Sequence, residues 1–432
     1  MKLQNLIYDG QVITVAVSDG RIAEIEVIRP ADETDAANLL WLLPGLVGLH
    51  IHGRQPDVDL DGQEKPPVFQ KEDWPHLIWA AIQGGYTTIV LMPNTSPPIT
   101  SVKVLRCARS LVPKDCPYRP LWWFGATPTN GAEIQAARNE LDVVGVKSFF
   151  GSSTGELLVK YYAEQLAVAK ICARLGWPNA VHAEDDDLIA ALLAGLGREP
   201  KIADHPDIRS EECEVRAVEQ ALRVGKESGS WMHICHVSTV PAADLIFAAR
   251  AAGQRVSAET CPHYWRLNRD CLLLSDAAYY KMNPPLRAEA TRRGIWERTV
   301  RGEFDTIDVD HAPHLEREKN GSEYKKVPSG IPGLQTLLPL ALELVFRDQM
   351  SMADMIRCTS TWPARIIGLD RGTIKVGAVA DLVLVDPRQQ TEITNKSMAY
   401  KCGWTPFAGI TTPGKVVATM IGGKLYYDVR QD

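Results

Sequence analysis

The sequence predicts an α/β protein: a distorted TIM (β/α)8 barrel with a small β-sandwich domain assembled from both chain ends. Strand-like and helix-like segments alternate from Pro44 to the region of Leu315, which is the pattern of parallel strands joined by helices. Short β-type segments separated by turn residues occupy both ends of the chain. Residue types that bind metal ions recur at the ends of strand-like segments, where a barrel places its active site.

Eight strand candidates support the barrel. They span residues 45–49, 87–92, 121–126, 143–149, 179–183, 231–237, 255–259 and 305–310. The helices expected between them include residues 74–83, 156–175, 210–228, 241–252 and 288–300. This number of strands matches a TIM-type barrel. An open doubly wound sheet is the alternative, but no GxGxxG motif follows the first strand.

The terminal segments resemble hairpins. Residues 6–8, 11–17 and 21–27 are β-type runs, and the Asp-Gly pairs between them are typical of tight turns. Residues 373–432 return to the same pattern. Because each end alone is too short to bury a good core, we expect residues 1–43 and 365–432 to form one β-sandwich beside a barrel of residues 44–364.

Length and composition bound the class of protein. The chain has 432 residues, which suffices for a large barrel with an accessory domain. It is 45% hydrophobic and 23% charged, as an ordinary globular protein is, and its formal net charge is -6. This charge gives no electrostatic reason to expect a nucleic acid or an anionic membrane as a partner.

Neither a membrane segment nor a disulfide framework is expected. No apolar run approaches the roughly 20 residues that a membrane helix needs, and the first residues lack a signal-peptide core. The nine cysteines are scattered and never form a CxxC pair. We therefore expect a cytoplasmic protein with reduced thiols.

Two histidines, His50 and His52, end the first strand candidate. Side chains two residues apart in a strand point to the same side, so both imidazoles are able to bind one ion. Zinc accepts imidazole nitrogen readily and leaves other positions open for water. The alternative is a pair of histidines satisfied by ordinary packing or solvent, since short motifs often match by chance.

Further ligand-type residues end the later strand candidates and favour a metal site. Lys147 ends the fourth, His182 the fifth, His236 the sixth and Asp310 the eighth. A lysine at a strand end is usually an ordinary cation, but carbamylation by CO₂ makes it an anionic oxygen ligand that bridges two ions. His233 points to the opposite face of its strand, so we expect it to pack or to support a ligand.

The ordered motifs resemble those of dihydroorotases of the amidohydrolase superfamily, in their longer, lysine-containing branch. The motifs are HxHxR at 50–54, Met-Pro-Asn-Thr at 92–95, the lysine segment at 146–149, His-Ala-Glu at 182–184, His-Ile-Cys-His-Val at 233–237, Asn-Pro-Pro-Leu-Arg at 283–287 and Asp-His-Ala-Pro-His at 310–314. The match continues through residues 330–334 and 404–407, so it covers nearly the whole chain. One departure is Gly48, which stands where the family commonly has an acidic residue.

The resemblance implies a binuclear zinc centre and a reaction. It implies reversible interconversion of (S)-dihydroorotate and N-carbamoyl-L-aspartate in de novo pyrimidine biosynthesis. Its ligand assignment gives one zinc ion to His50, His52 and Asp310, the other to His182 and His236, and both to carboxylated Lys147 as a bridge. Asp310 would also be catalytic, accepting the proton of the nucleophile and passing it to the departing nitrogen.

The resemblance also implies substrate-binding residues. Arg54 would hold the substrate carboxylate through a bidentate contact, helped by Asn94 and His314. Asn283 would contact the amide edge of the ring, and Thr154 would belong to a mobile lid. The alternatives are a surface salt bridge for Arg54, a turn before a proline for Asn283, and a simple Gly/Ser turn for Thr154.

Two other functions compete with this interpretation. Residues 259–264, Glu-Thr-Cys-Pro-His-Tyr, are more like those of allantoinases or hydantoinases, so a cyclic amidohydrolase of that type is the closest alternative. Arg54 and the Ala-Pro-His sequence ending at His314 favour a substrate with a carboxylate. A catalytically silent homologue that assembles with another pyrimidine enzyme is less well supported, because such chains typically lose ligands. For an active enzyme we expect a homodimer or higher homo-oligomer, with association with other pyrimidine enzymes as a further expectation.

Overall fold

Strands and helices alternate through most of the chain. The computed structural model describes residues 1–55, 71–152 and 157–430. Its strands are β1 (Lys2–Tyr8), β2 (Gln11–Ser18), β3 (Arg21–Pro30), β4 (Leu40–Pro44), β5 (Leu46–Ile51), β6 (Tyr86–Leu91), β7 (Leu121–Gly125), β8 (Val143–Phe149), β9 (Pro178–His182), β10 (Trp231–Ile234), β11 (Val256–Thr260), β12 (Thr306–Ile307), β13 (Leu382–Glu392), β14 (Thr411–Ile421) and β15 (Lys424–Asp428). Its α-helices are α1 (Glu33–Asn38), α2 (Trp74–Gln83), α3 (Val102–Ser110), α4 (Gly131–Ala136), α5 (Tyr162–Leu175), α6 (Asp186–Gly195), α7 (His205–Ile208), α8 (Glu211–Ser228), α9 (Val240–Ala251), α10 (Pro262–Arg266), α11 (Glu289–Val300), α12 (Glu316–Lys319), α13 (Leu337–Phe346), α14 (Met352–Ile356) and α15 (Trp362–Ile366).

Strands β5 to β12 form one sheet in which each strand pairs with the next along the chain. Every neighbouring pair is parallel. The segment after β12 pairs back onto β5: the His52 amide donates to the His311 carbonyl at 2.8 Å, and the His311 amide donates to the His50 carbonyl at 3.1 Å. Helices cover the sheet, so β5, β6 and β8 are buried along their whole length. The prediction of a TIM-like barrel is confirmed.

Both chain ends contribute to a second sheet, as predicted. Its seven strands lie in the order β15, β14, β13, β4, β1, β2 and β3. All its pairs are antiparallel except β1 with β4. One hydrophobic cluster covers this sheet and mixes residues from both ends, including Ile13, Val15, Ile22, Leu382 and Leu384. Neither end buries this core without the other.

Gly45 joins the two sheets. β4 ends at Pro44 and β5 begins at Leu46. A Cβ atom on Gly45 would lie 2.1 Å from the Thr87 side chain, so only glycine fits where the chain crosses. The predicted domain limits, 1–43 with 365–432 and 44–364, stay a prediction.

Some predicted elements are longer than the observed ones. α5 begins at Tyr162, so the prediction of a helix from residue 156 is wrong at its start. The Val159 amide donates to the Phe149 carbonyl at 2.8 Å, and Leu158 forms a β-bridge with Phe149, which holds the segment before α5 extended. β10 and β12 also end before His236 and Asp310, which lie on the loops that follow.

Two further expectations concern the whole chain. None of the helices in the described segments combines the length and the apolarity that a bilayer-spanning helix needs. All nine cysteines fall in described segments, and each is a free thiol.

Candidate metal centre and active site

The six predicted metal ligands meet at the C-terminal ends of the barrel strands. Five of them line one pocket and Lys147 lies beneath it, beside Phe149 and Cys235. The residues that line the pocket are His50, His52, Arg54, Asn94, Phe149, His182, His236, Asn283 and Asp310. Parallel strands bring their carboxyl ends to one rim, which explains why residues from 50 to 310 converge there.

His50, His52 and Asp310 form the first half of the cluster. Asp310 Oδ1 lies 3.3 Å from His50 Nε2 and 3.1 Å from His52 Nε2. All three residues are buried. Two imidazole nitrogens and a carboxylate oxygen therefore face one point.

His182 and His236 form the second half. His182 Nδ1 lies 3.0 Å from His236 Nε2. The His50 and His236 rings are 5.2 Å apart between centroids, so the two halves adjoin. One ligand atom each from His50, His236 and Asp310 also lie within 4.8 Å of one another, a spacing suited to a shared metal centre.

Lys147 is fully buried next to both halves. Its Nζ donates to Cys235 Sγ at 3.1 Å and lies 5.0 Å from the centre of the Phe149 ring. Across residues 1–55, 71–152 and 157–430, no carboxylate lies within ion-pair distance of this ammonium. Burying a cation without a counter-ion is costly, so ordinary ion pairing does not account for a lysine at this place.

The outer nitrogens of three histidines are held by acceptor oxygens. His50 Nδ1 donates to Glu259 Oε1 at 2.6 Å, and His52 Nδ1 donates to Asn94 Oδ1 at 2.6 Å. His182 Nε2 donates to Glu184 Oε2 at 2.9 Å. These bonds leave the other nitrogen of each ring facing the pocket, which is the arrangement of metal-binding histidines.

Electrostatics favour the ligand form of several groups. The His50 and His52 rings outweigh the effect of burial and hold the pKa of Asp310 well below its usual range. Burial lowers the pKa of His236 well below its ordinary value, so this ring is neutral. Burial also opposes protonation of His50, but Glu259 and Asp310 outweigh it and raise the pKa of His50 well above its ordinary value. A bound cation would take the place of that proton.

Three site residues have backbone conformations that side-chain-bearing residues rarely adopt. The φ angles are 60° at Arg54, 39° at His236 and 44° at Asp310. Such conformations cost on the order of 1–3 kcal/mol each and concentrate at functional sites. His236 and Asp310 lie on the loops that follow β10 and β12, and both side chains line the pocket.

Sequence reasoning missed two carboxylates that support His50. Glu259, at the end of β11, accepts from the His50 ring and from the His236 amide at 3.0 Å. Asp308 Oδ2 accepts from the amides of Leu49 and His50 at 2.5 and 3.1 Å. Asp308 thus places a carboxylate beside β5, the strand that carries Gly48, where the family commonly has an acidic residue. Glu259 and Asp308 lie at the carboxyl ends of β11 and β12, and an acidic residue at such a position could have identified them from the sequence.

Glu184 belongs to a buried ion-pair network behind the second pair of ligands. Its carboxylate accepts from Arg209, whose Nη2 lies 2.5 Å from Oε2. The Arg209 carbonyl accepts from Arg287 Nη1 at 2.6 Å, and Arg287 Nη2 donates to Glu214 at 3.1 Å. Glu214 in turn accepts from the Ser238 amide at 2.9 Å, two residues past His236. The network therefore ties the two histidines together from behind.

The predicted substrate-binding residues lie mostly at the pocket. Arg54 is half-buried, and desolvation lowers its pKa to about 10, so it stays charged near neutral pH. Asn283 Oδ1 is buried and has no hydrogen-bond partner among the described residues. Asn94 holds the His52 ring, and His314 lies behind Arg54, with its Nε2 3.3 Å from Arg54 Nη2. Thr154 lies outside the described residues.

Comparison with known proteins decides the family. The model of the amidohydrolase family matches residues 41–426. The chain belongs to the amidohydrolase family. This amidohydrolase is 33% identical to a dihydroorotase of Methanosarcina mazei over 93% of the chain and 87% of that protein. It is 30% identical to a dihydroorotase of Halalkalibacterium halodurans over 99% of both chains.

Solved structures agree with the fold of this amidohydrolase. An L-hydantoinase (dihydropyrimidinase) from Arthrobacter aurescens superposes with a TM-score of 0.87 at 26% identity, covering 99% of this chain and 96% of the other. A D-hydantoinase superposes with a TM-score of 0.85 at 22% identity, which concerns the fold alone. With the dihydroorotase relatives, these comparisons make this amidohydrolase a hydrolase that acts on cyclic amides. The predicted resemblance to dihydroorotases is confirmed.

Proposed function

We propose that this amidohydrolase is a dihydroorotase, which interconverts (S)-dihydroorotate and N-carbamoyl-L-aspartate in de novo pyrimidine biosynthesis. The observation that carries the proposal is the half-buried Arg54 in the same pocket as the His and Asp cluster. Both forms of this substrate carry a carboxylate that takes no part in ring opening or closure, and a guanidinium binds such a group with two parallel hydrogen bonds. The cyclic ring of a hydantoin or of allantoin has no carboxylate.

Two zinc ions fit the donor set. His50, His52 and Asp310 would hold one ion and His182 and His236 the other, while carboxylated Lys147 would contact both. The supporting observations are four imidazoles that meet at the pocket, three of them held at their outer nitrogens by acceptor oxygens, and a buried lysine that has no carboxylate partner among the described residues. When bound there, the ions supply a Lewis acid for the amide carbonyl and a water of lowered pKa.

The protein's own groups would orient the substrate and move the proton. Asp310 stays anionic beside His50 and His52, so one of its oxygens is able to accept the proton of the attacking water. The same carboxyl group would then deliver that proton to the departing ring nitrogen. Ring closure would use the same two transfers in reverse order.

Arg54 would bind the substrate carboxylate, and Asn94, Asn283 and His314 would contribute further polar contacts. The Asn283 amide oxygen is buried and unpartnered among the described residues, so it is available to a ring N–H. For Thr154, the proposed role in a lid rests on the resemblance alone.

A comparison of substrates under one set of conditions tests the proposal. Purified protein supplemented with zinc should convert N-carbamoyl-L-aspartate and dihydroorotate far faster than allantoin or 5-substituted hydantoins. Faster turnover of a hydantoin would establish the second candidate function, which the similarity to the Arthrobacter aurescens L-hydantoinase favours. A zinc-loaded protein that turns over none of them would be a catalytically silent homologue.

Location and assembly complete the proposal. We infer a cytoplasmic homodimer or higher homo-oligomer, which is able to associate with other enzymes of pyrimidine synthesis. The support is the similarity to dihydroorotases over nearly the whole chain. Light scattering of the purified protein would overturn the oligomer if it gave the mass of a single 47.7 kDa chain at micromolar concentration.

A further inference from the structure

Lys71 contacts the histidine that lies behind Arg54. Its Nζ lies 2.9 Å from His314 Nδ1, although 243 positions separate the two residues in the chain. The other ring nitrogen, Nε2, lies 3.0 Å from the Ser329 carbonyl oxygen. The His314 side chain is fully buried. Both ring nitrogens therefore have protein partners.

These two partners fix the position of the His314 proton. An ammonium group is only a donor, so Nδ1 must accept from Lys71. A carbonyl oxygen is only an acceptor, so Nε2 must carry the proton and donate it to Ser329. Burial, followed by the charges of Arg54, Lys71 and Lys319, lowers the pKa of His314 well below its ordinary value. The ring is thus neutral, with its single proton on Nε2.

This tautomer changes the meaning of the contact between His314 and Arg54. Arg54 Nη2 lies 3.3 Å from His314 Nε2, but both groups are donors and do not bond to each other. The His314 proton is held by the Ser329 carbonyl, so the Arg54 Nη2 group keeps its N–H for an acceptor that carries negative charge. With the opposite tautomer, Nε2 would accept from Arg54 and use up one of its donor groups.

The surroundings of Lys71 hold it in this place. Its Nζ is also 2.7 Å from Glu318 Oε1, and Glu318 Oε2 accepts from the Leu315 amide at 2.9 Å.

Gly330 leaves room for the His314 ring on the side of Nε2, since a Cβ there would lie 2.9 Å from that nitrogen. The φ angle of Gly330 is 140°, which residues with a side chain rarely adopt.

We propose that Lys71 is a positioning residue for substrate recognition: through its hydrogen bond to Nδ1, it keeps the His314 proton on Nε2, so that the ring does not accept from Arg54 and the Arg54 Nη2 group stays available for the substrate carboxylate. This inference rests on the proposed function, because it takes the ligand to be the carboxylate of N-carbamoyl-L-aspartate or dihydroorotate. The competing interpretation is that Lys71 only anchors α12 through Glu318.

Three variants separate these interpretations. Lys71→Met removes the donor and the charge, and Lys71→Arg keeps both. Glu318→Gln removes the charge of the ion pair and keeps one acceptor oxygen, which serves the Leu315 amide or Lys71 but not both. If Lys71 acts through His314, the KM for N-carbamoyl-L-aspartate should rise at least roughly tenfold in Lys71→Met, the loss of one charge-assisted hydrogen bond. The kcat should change less, Lys71→Arg should recover part of the loss, and Glu318→Gln should stay near the wild type.

A second measurement does not depend on activity. In full-length protein labelled with ¹⁵N-histidine, and assigned with a His314→Gln variant, the His314 signals should show an Nε2–H tautomer. Lys71→Met should shift these signals toward a mixture of tautomers, whereas Glu318→Gln should not.

Wild-type signals from an Nδ1–H tautomer, or an equal effect of Glu318→Gln on KM, would overturn the proposal. Failure of the wild type to turn over N-carbamoyl-L-aspartate would refute the proposed function instead, and the tautomer measurement would still decide the role of Lys71. If Lys71→Met does not fold, Lys71→Gln supplies both measurements.

Discussion

Glu259 holds both halves of the candidate metal centre. Its Oε1 lies 2.6 Å from His50 Nδ1 and 3.0 Å from the backbone nitrogen of His236. The carboxylate is fully buried, and its other oxygen lies 3.4 Å from His233 Nε2. His233 thus supports the centre through Glu259 and does not face the ligand cluster. A single carboxylate therefore orients one ligand of each proposed metal ion.

Glu259→Gln should weaken metal binding roughly ten- to one-hundredfold. The neutral amide accepts a weaker hydrogen bond from His50 Nδ1 than the carboxylate does, so His50 Nε2 becomes a weaker metal ligand. The metal content after dialysis against a graded chelator measures this change. Glu343→Gln is the matched control, since Glu343 is a buried glutamate on α13 that pairs with Arg266 and Arg347. Equal metal retention in Glu259→Gln and wild type would remove Glu259 from the centre.

Lys147→Met should abolish turnover and remove a carbamate signal. After incubation with ¹³C-bicarbonate and zinc, the wild type should show one carbamate carbon by NMR, and Lys147→Met should show none. Lys319 is an internal control, because it is also fully buried but its Nζ donates to the carbonyls of Lys281 and Pro328. A signal that persists in Lys147→Met would place the carbamate elsewhere.

Arg54→Ala should lower kcat/KM for N-carbamoyl-L-aspartate by about one-hundredfold or more, because it removes a charged hydrogen-bonding partner of the substrate. The metal content should stay near that of the wild type, since Arg54 is not a proposed ligand. Kinetics and metal analysis on the same preparation check both statements. Loss of metal together with activity would make Arg54 a structural residue.

Glu214→Ala should lower the free energy of unfolding by about 3–5 kcal/mol, because Arg287 would remain buried without its partner. Urea denaturation followed by circular dichroism measures the change. Glu212→Ala is the control on the same helix: Glu212 is exposed and pairs with Arg216, so its loss should cost about 0–1 kcal/mol. Similar values for the two variants would show that the buried network contributes little.

Periodicity predicted the barrel, but it overestimated some elements. The strand candidates at 231–237 and 305–310 ran on to His236 and Asp310, whereas β10 and β12 end earlier. The backbone turns to positive φ at both residues, and tertiary contacts around the pocket hold that conformation. A pattern of apolar residues contains no information about such a turn. Local sequence likewise did not indicate that residues before α5 pair with β8.

The sequence by itself determined which side chains gather at one rim, because the carboxyl ends of parallel strands in a barrel necessarily meet there. His50 and Lys147 were found in this way. Only the tertiary structure decided which nitrogen of each imidazole faces the pocket, because that choice depends on the group that contacts the opposite nitrogen. For His50 this group is Glu259, and for His314 it is Lys71, 209 and 243 positions away in the chain. Contacts over such distances form only when the whole barrel closes.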